Sequence, residues 1–171
     1  MPNFSVSYMV KFSEKWSVLK KNETLSQKFM GTVKPEAPLK HRLDVAQKKL
    51  EMQITKLDQT EQKLKQRDSV FMSKIVEATK ANNQAYAKMY AGELAEIRKT
   101  NNTVTNAKLS MEQVKLRLNT VAELGDVVVT LSPCMSLIKG LRTSLGGMMP
   151  EIDASMQELS GTIEEMVGNS Q

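Results

Sequence analysis

The sequence predicts an all-α fold: a long antiparallel helical hairpin followed by shorter helices on glycine joints. Three observations predict it. Apolar residues recur every seven positions in two long rows, one through Leu43, Leu50, Leu57, Leu64, Phe71 and Ala78, the other through Tyr90, Ile97, Val104, Met111 and Leu118. Such a row is the buried stripe of a helix packed on a partner helix. No proline occurs between Pro38 and Pro133, so nothing breaks either row. The middle of the chain is rich in Lys, Glu, Gln, Leu and Ala, and aromatics are only 5% of the 171 residues, a composition that suits long helices.

The first segment, residues 1–34, precedes the rows. It opens MPNFSVSYMVKFSEKWSVLKK and holds Phe4, Tyr8, Phe12 and the single Trp, Trp16. Phe4, Val6, Tyr8, Val10 and Phe12 alternate as a strand would. Phe4, Tyr8, Phe12, Trp16 and Leu19 also follow steps of four and three, and fall within roughly a 120° arc of a helix. A lone strand has no sheet to join in a helical chain, so the helix is favoured. Lys11, Lys15, Lys20 and Lys21 flank the aromatic face. Aromatics beside lysines make an interfacial amphipathic helix, with Trp and Tyr at headgroup level. Phe4, Tyr8 and Met9 are expected to meet lipid, whereas Trp16 lies nearer protein. Packing of Phe12, Trp16 and Leu19 on the hairpin or on a neighbouring subunit is the competing reading.

The core is expected over residues 35–167, with the hairpin over about 36–125 and short helices over about 127–167. Pro35 and Pro38 sit where the first helix starts, as a first-turn proline does. Folded antiparallel, the rows pair Phe71 with Tyr90, Leu64 with Ile97, Leu57 with Val104, Leu50 with Met111 and Leu43 with Leu118. That pairing puts the turn at Lys80-Ala81-Asn82-Asn83, where asparagine tolerates left-handed backbone. Gln53, Arg67, Asn101 and Lys108 interrupt the neighbouring rows, so the seam is expected to be narrow. Such a hairpin needs further helices, or copies of itself, to cover its other faces. Gly125 either ends the second helix or weakens a longer one. Leu137, Leu141 and Leu145 are at helical spacing, Gly146-Gly147 is a joint, and Pro150 opens a helix carrying Ile152, Met156, Leu159 and Ile163 on one face.

Charge is divided along the chain. Residues 1–50 carry ten Lys/Arg against four Asp/Glu, while residues 126–171 carry two against six. A basic front calls for an anionic partner, and an acidic tail is suited to touch that front. No run of 18 apolar residues spans a membrane. The start lacks the basic n-region of a signal peptide. The single cysteine, Cys134, excludes an internal disulfide and reads as a small buried or interfacial residue. His41 is the only histidine and has no partner for catalysis or metal binding. No P-loop, dinucleotide fingerprint or zinc spacing occurs, so no cofactor and no enzymatic activity are expected.

The layout resembles the ESCRT-III family: a basic first helix, a hairpin, a long second helix, then short helices and an acidic end. EATKANNQAYAKMYAGELAEIRKT resembles the family's hairpin tip and second helix. LGDVVVTLSPCMSLIKGLRTSLGGMMPEIDASMQELSGTIEEM is similar to the archaeal branch, the CdvB-type cell-division proteins. The resemblance covers about residues 36–167. It implies a self-assembling filament protein that is not an enzyme and that remodels and cuts membranes during archaeal division. It implies homopolymers, paralogous ESCRT-III subunits as partners, an anionic membrane surface, and a AAA+ ATPase that removes subunits, directly or through those partners. The implied location is cytoplasmic, peripheral on the inner face of the plasma membrane at the division site. The family shifts between a closed monomer and an open polymer in which helices two and three fuse, so Gly125 is the implied hinge, with Gly146 and Gly147 as further joints. Two departures stand out. The proline-rich motif that docks the ATPase is not visible, and Leu137–Leu145 resembles its helical version only loosely, with the arginine misplaced. The winged-helix recruitment segment of some archaeal members is also absent, which suggests a short paralogue, a truncated chain or recycling through partners.

The membrane-binding set is therefore the segment above together with Lys34, Lys40, Arg42, Lys48 and Lys49 at the start of helix one. The competing function is a basic helical-hairpin scaffold for nucleic acid or another protein. Against it, base-stacking aromatics are not interleaved with the basic helix, so no nucleic acid is expected. Deleting residues 1–20 is expected to lower the fraction of protein that co-sediments with anionic vesicles by several-fold; unchanged binding would remove the membrane role of this segment.

Overall fold

The computed structural model describes residues 39–170, and they form four helices. These are α1 (Leu39–Lys80), α2 (Gln84–Leu124), α3 (Val127–Leu145) and α4 (Pro150–Gly168). There is no strand among the described residues. The all-α expectation, with a long hairpin and shorter helices after it, is what the structure shows.

At 1.5 Å per residue, α1 and α2 are each roughly 60 Å long. Their buried faces follow the heptad: Leu43, Ala46, Leu50, Gln53, Leu57 and Leu64 on α1, and Ile97, Val104, Ala107, Met111, Val114, Leu118 and Val121 on α2. The steps of three and four keep one stripe turned to the partner along the whole arm. Phe71 meets Tyr90 edge-on, with ring centroids 6.1 Å apart, which is the pairing the two rows imply. Lys74 Nζ lies over both rings, at 5.1 and 5.5 Å.

A ladder of ion pairs along one flank holds the same register. Lys115 Nζ meets Glu51 at 2.9 Å, Lys108 Nζ meets Asp58 and Glu61 at 2.8 Å each, and Arg98 grips Asp68 at 2.6 and 3.3 Å. Lys108 is the centre of this ladder, and Lys65 adds a further contact to Glu61 at 3.0 Å. Hydrogen bonds from Lys108 and then Lys65 hold the Glu61 carboxyl down at about 2. The same acids push the Lys108 ammonium above its ordinary value.

The turn is short because the backbone closes it locally. Asn83 N–H donates to Ala78 O at 2.8 Å, and Asn82 N–H to Thr79 O at 3.1 Å. Asn82 takes the left-handed conformation, φ 55. Asparagine adopts it at low cost. Asn83 then caps α2, its Oδ1 accepting from Tyr86 N–H at 3.3 Å.

The helices α3 and α4 convert one half of the hairpin into a four-helix bundle. α3 packs on α2, and α4 packs on both α3 and α1. α3 buries Val127, Leu131, Cys134, Ile138, Leu141 and Leu145; α4 buries Ile152, Met156, Leu159, Ile163 and Met166. At about half the length of α2, they cover only the end away from the turn. The narrow seam expected from the sequence therefore holds for the tip half alone. Gln53, read as an interruption, is 2% exposed and donates to Ser155 Oγ of α4 at 3.0 Å.

Glu61 carries a testable consequence. Its folded pKa lies below the ordinary 4.5, so its contribution is complete above pH 4.5 and is lost as pH falls toward 2. Lys108→Met is expected to cost about 1 kcal/mol at pH 7 and to flatten the loss of stability across that window, as read by urea unfolding at a series of pH values.

Candidate assembly surface and hinge

Four parts of the fold carry the residues singled out from the sequence: the basic start of α1, the hairpin tip, the α2–α3 joint and the α3–α4 joint. Phe4, Tyr8, Met9, Lys11, Phe12, Lys15, Trp16, Leu19, Lys20, Lys21 and Lys34 lie outside the described residues. The basic residues of α1 divide into two groups. Lys40 and Lys48 are exposed. Arg42 and Lys49 turn toward α4, where Arg42 meets Glu165 at 3.8 Å and Lys49 contacts Glu158. Lys56 extends the row to Glu151 at 3.3 Å.

These three pairs form one repeating unit. Arg42, Lys49 and Lys56 are seven residues apart, as are Glu151, Glu158 and Glu165. Two antiparallel helices with matched heptads bring every such pair together at once. Lys49, through its hydrogen bond, holds the Glu158 carboxyl below the usual carboxylate range. The ladder lies beside the part-buried Gln53–Ser155 bond, so polar pairs add to the apolar packing in fixing the register of α4 on α1. The contact that the divided charge suggests, tail against front, thus takes a specific form. The signal that locates it is the heptad of glutamates in the tail.

Energetics separate the roles of the two kinds of contact. Burying one large apolar side chain contributes about 1.5–3 kcal/mol, and α4 buries five. Exposed ion pairs contribute a small fraction of that and weaken in salt. Cohesion between α4 and the bundle is apolar; the ladder sets register and makes the contact sensitive to anions.

The joint between α2 and α3 is two residues long. Gly125 has φ 78, and its N–H closes the helix end by donating to Val121 O at 2.9 Å. A side chain is strained at that φ. Asp126 then caps α3, its Oδ1 accepting from Val129 N–H at 3.3 Å. Gly125 therefore ends α2 here, one of the two readings its place in the sequence allows. An added Cβ at Gly125 would meet no atom within 4 Å, so only the backbone angle asks for glycine.

The second joint differs. Gly146 has ordinary helical angles, and a Cβ there would lie 2.7 Å from Arg142 O. Gly147 has open space around it. Arg142 Nε spans the joint to Asp153 Oδ1 at 2.9 Å, and Pro150 supplies the first turn of α4. At the tip, Lys80, Ala81, Asn82 and Asn83 make the turn and its caps, as described above. Among the described residues, no helix is long and apolar enough to cross a membrane.

These features define a class: an elongated helical hairpin with a basic first helix, closed by an acidic helix that returns through two short joints of two and four residues. Comparison with known proteins narrows it. The chain is 41% identical over 134 residues to cell division protein B1 of Sulfolobus acidocaldarius, and 30% identical over 118 residues to cell division protein B of the same organism. The matches cover 78% and 69% of this chain, and 63% and 45% of those relatives, so the chain spans about half to two thirds of their length. No family model matches, and no solved structure matches. The chain belongs to the CdvB-type ESCRT-III proteins.

Reversing the tail charges tests the contact. Glu151→Lys/Glu158→Lys/Glu165→Lys is expected to leave α1 and α2 protected from hydrogen exchange while α4 amides exchange several-fold faster, and to abolish the salt sensitivity of that exchange. Unchanged α4 protection would show the ladder to be incidental.

Proposed function

We propose that this chain is a filament subunit that assembles on anionic membrane and remodels it during archaeal cell division. The observation that carries the reading is the α1–α4 contact. A basic helix face is covered by the chain's own acidic helix, and that cover is attached through joints that reach it by a few residues. An anionic surface competes for Arg42, Lys49 and Lys56 with the three glutamates, and it adds to the pull on Lys40 and Lys48, which are already exposed.

On this reading the described conformation is the closed subunit. Lysines and aromatics of residues 1–34 supply the first grip on the membrane. Displacement of α4 uncovers the α1 row, and Gly125 is the hinge at which the second and third helices realign. Gly146 and Gly147 let α4 move relative to α3. Assembly then proceeds between copies of this chain and with related subunits of its family. Removal of subunits falls to a AAA+ ATPase, acting on this chain or on a partner within the filament. The chain itself performs no catalysis and takes no cofactor. The names of its relatives, which are cell-division proteins, support a role in division; the setting on the inner face of the plasma membrane at the division site is part of the proposal.

The deciding experiment is sedimentation with and without vesicles of phosphatidylglycerol and phosphatidylcholine, followed by negative-stain imaging of the pellet. Filaments or coated tubules in the vesicle pellet are expected, with loss of binding as salt is raised. A soluble monomer in both conditions would contradict the reading and return attention to a scaffold role.

A further inference from the structure

The middle of α2 is built from poor helix formers. The run Thr100-Asn101-Asn102-Thr103-Val104-Thr105-Asn106 holds only threonine, asparagine and valine. Threonine and valine are crowded at χ1 against the preceding turn, and asparagine competes for backbone hydrogen bonds. The register of the arms sets this run opposite Thr55-Lys56-Leu57-Asp58-Gln59-Thr60-Glu61 of α1, which includes the strong helix formers Lys, Leu, Gln and Glu. The weakness therefore lies in one arm, and the other runs past it as a spine.

Packing does not compensate at this point. The buried positions of α2 pass from Leu94 and Ile97 to Val104, Ala107, Met111 and Val114. Between Ile97 and Val104 the seam position falls to Asn101, whose Oδ1 is buried with no hydrogen-bond partner. An unpaired buried acceptor costs stability in the helical state. Asn101, Val104 and Ala107 follow steps of three and three, where a heptad alternates three and four, and such a slip changes the winding of the pair locally. Thr103 Oγ1 donates to Lys99 O at 3.2 Å, and on the facing arm Thr60 Oγ1 donates to Lys56 O at 3.0 Å. Side-chain bonds of this kind draw on the carbonyls of the helix and favour bending. Thr103 and Asn106 also line a groove of about 330 Å³ between α2 and α3, faced by Ser136 and Gly140, so the backbone has room on that side.

We infer that α2 opens locally at Thr100–Asn106 while α1 stays helical, so that the hairpin tip leans as an arm against the four-helix half. Its position in the fold suits this. The cover supplied by α4 ends here, since Glu151 in its first turn meets Lys56, which lies opposite Thr105. Ion pairs bracket the run, Arg98 with Asp68 on the tip side and Lys108 with Asp58 and Glu61 on the other, and they confine the opening between them. Opening gives Asn101 Oδ1 to water and relieves its missing bond, which makes this stretch the cheapest part of α2 to open. The flex point is separate from the joints at Gly125 and Gly146, uses neither glycine nor proline, and does not rest on the filament reading.

The test is hydrogen exchange read by mass spectrometry on the full soluble chain. Amides of the run are expected to exchange roughly three- to tenfold faster than those of α2 on either side of it, yet far slower than in an unfolded chain. The facing stretch of α1 is expected to match its own neighbours. Asn102→Ala/Thr105→Ala/Asn106→Ala, at exposed positions, raises helix propensity and is expected to erase the local minimum of protection. Asn101→Leu is expected to do the same by another route, filling the seam and removing the unpaired acceptor. Thr120→Ala, exposed and nearer the end of α2, is expected to leave the minimum in place. Motion is read by electron–electron distance measurements between spin labels at Glu93→Cys and Leu116→Cys, both exposed, with the fully buried Cys134 left unlabelled. The distance distribution is expected to narrow when the triple alanine variant is added. Protection that falls evenly toward the turn, with no minimum at the run, overturns the inference, because the tip then frays as a unit. A minimum that survives both sets of substitutions, or distributions of equal width, also overturns it.

Discussion

Everything in this structure depends on the apolar seam between α1 and α2. Leu43, Leu50 and Leu57 on one arm, with Met111 and Leu118 on the other, are fully or almost fully buried, and they recur at the seven-residue interval that keeps two long helices in contact. Without that seam neither arm has a reason to persist, since isolated helices in water owe most of their stability to packing. The ion ladder from Glu51–Lys115 to Asp68–Arg98 works on top of it and fixes which residue faces which. A two-helix seam has only one buried face per helix. The remaining faces near the open end find cover in α3 and α4, whereas the tip half keeps Val70, Met72, Val76, Tyr86 and Met89 exposed.

The cover is attached in a way that permits exchange. α3 and α4 are each 19 residues long, and helices of that length owe most of their stability to packing. They reach their seats through a two-residue joint at Gly125 and a short one at Gly146–Met149. At each, one or two backbone angles or one glycine determine the path. A part-buried polar bond, Gln53 to Ser155, sits in the contact where a pair of apolar residues would hold more firmly. Gln53 Oε1 has no protein partner, which costs stability in the closed form. The α1–α4 contact is thus specific in register and moderate in strength, the combination expected of a contact that forms and releases.

Much of the fold was legible in the sequence, for a local reason. The rows through Leu43 and Tyr90 are periodic over many turns, and periodicity is a property of one helix at a time. Their mutual register follows because a single turn, at Asn82-Asn83, joins them. The α4-on-α1 contact was legible only as a charge contrast between the two ends of the chain. Its residue pairing is set by the path through three joints, which no local pattern encodes. Gln53 and Lys108 show the same limit. Both read as interruptions of apolar rows that narrow the seam, yet Gln53 is buried beneath α4 and Lys108 anchors two acids, because a second layer of helix and a cross-hairpin ladder give them partners. Leu109 and Leu116 passed unremarked because the heptad of the inner seam accounts for α2 by itself, and both stay exposed on its outer face.

The account turns on one event, the departure of α4 from α1 when the protein assembles on an anionic surface. Hydrogen exchange, compared between the soluble chain and the chain pelleted with anionic vesicles, measures it directly. The account predicts that amides of residues 150–168 lose protection in the pelleted material while the seam residues 43–64 and 97–121 stay protected. Equal protection of α4 in both states would contradict it, and would mean that this protein meets membranes in its closed form.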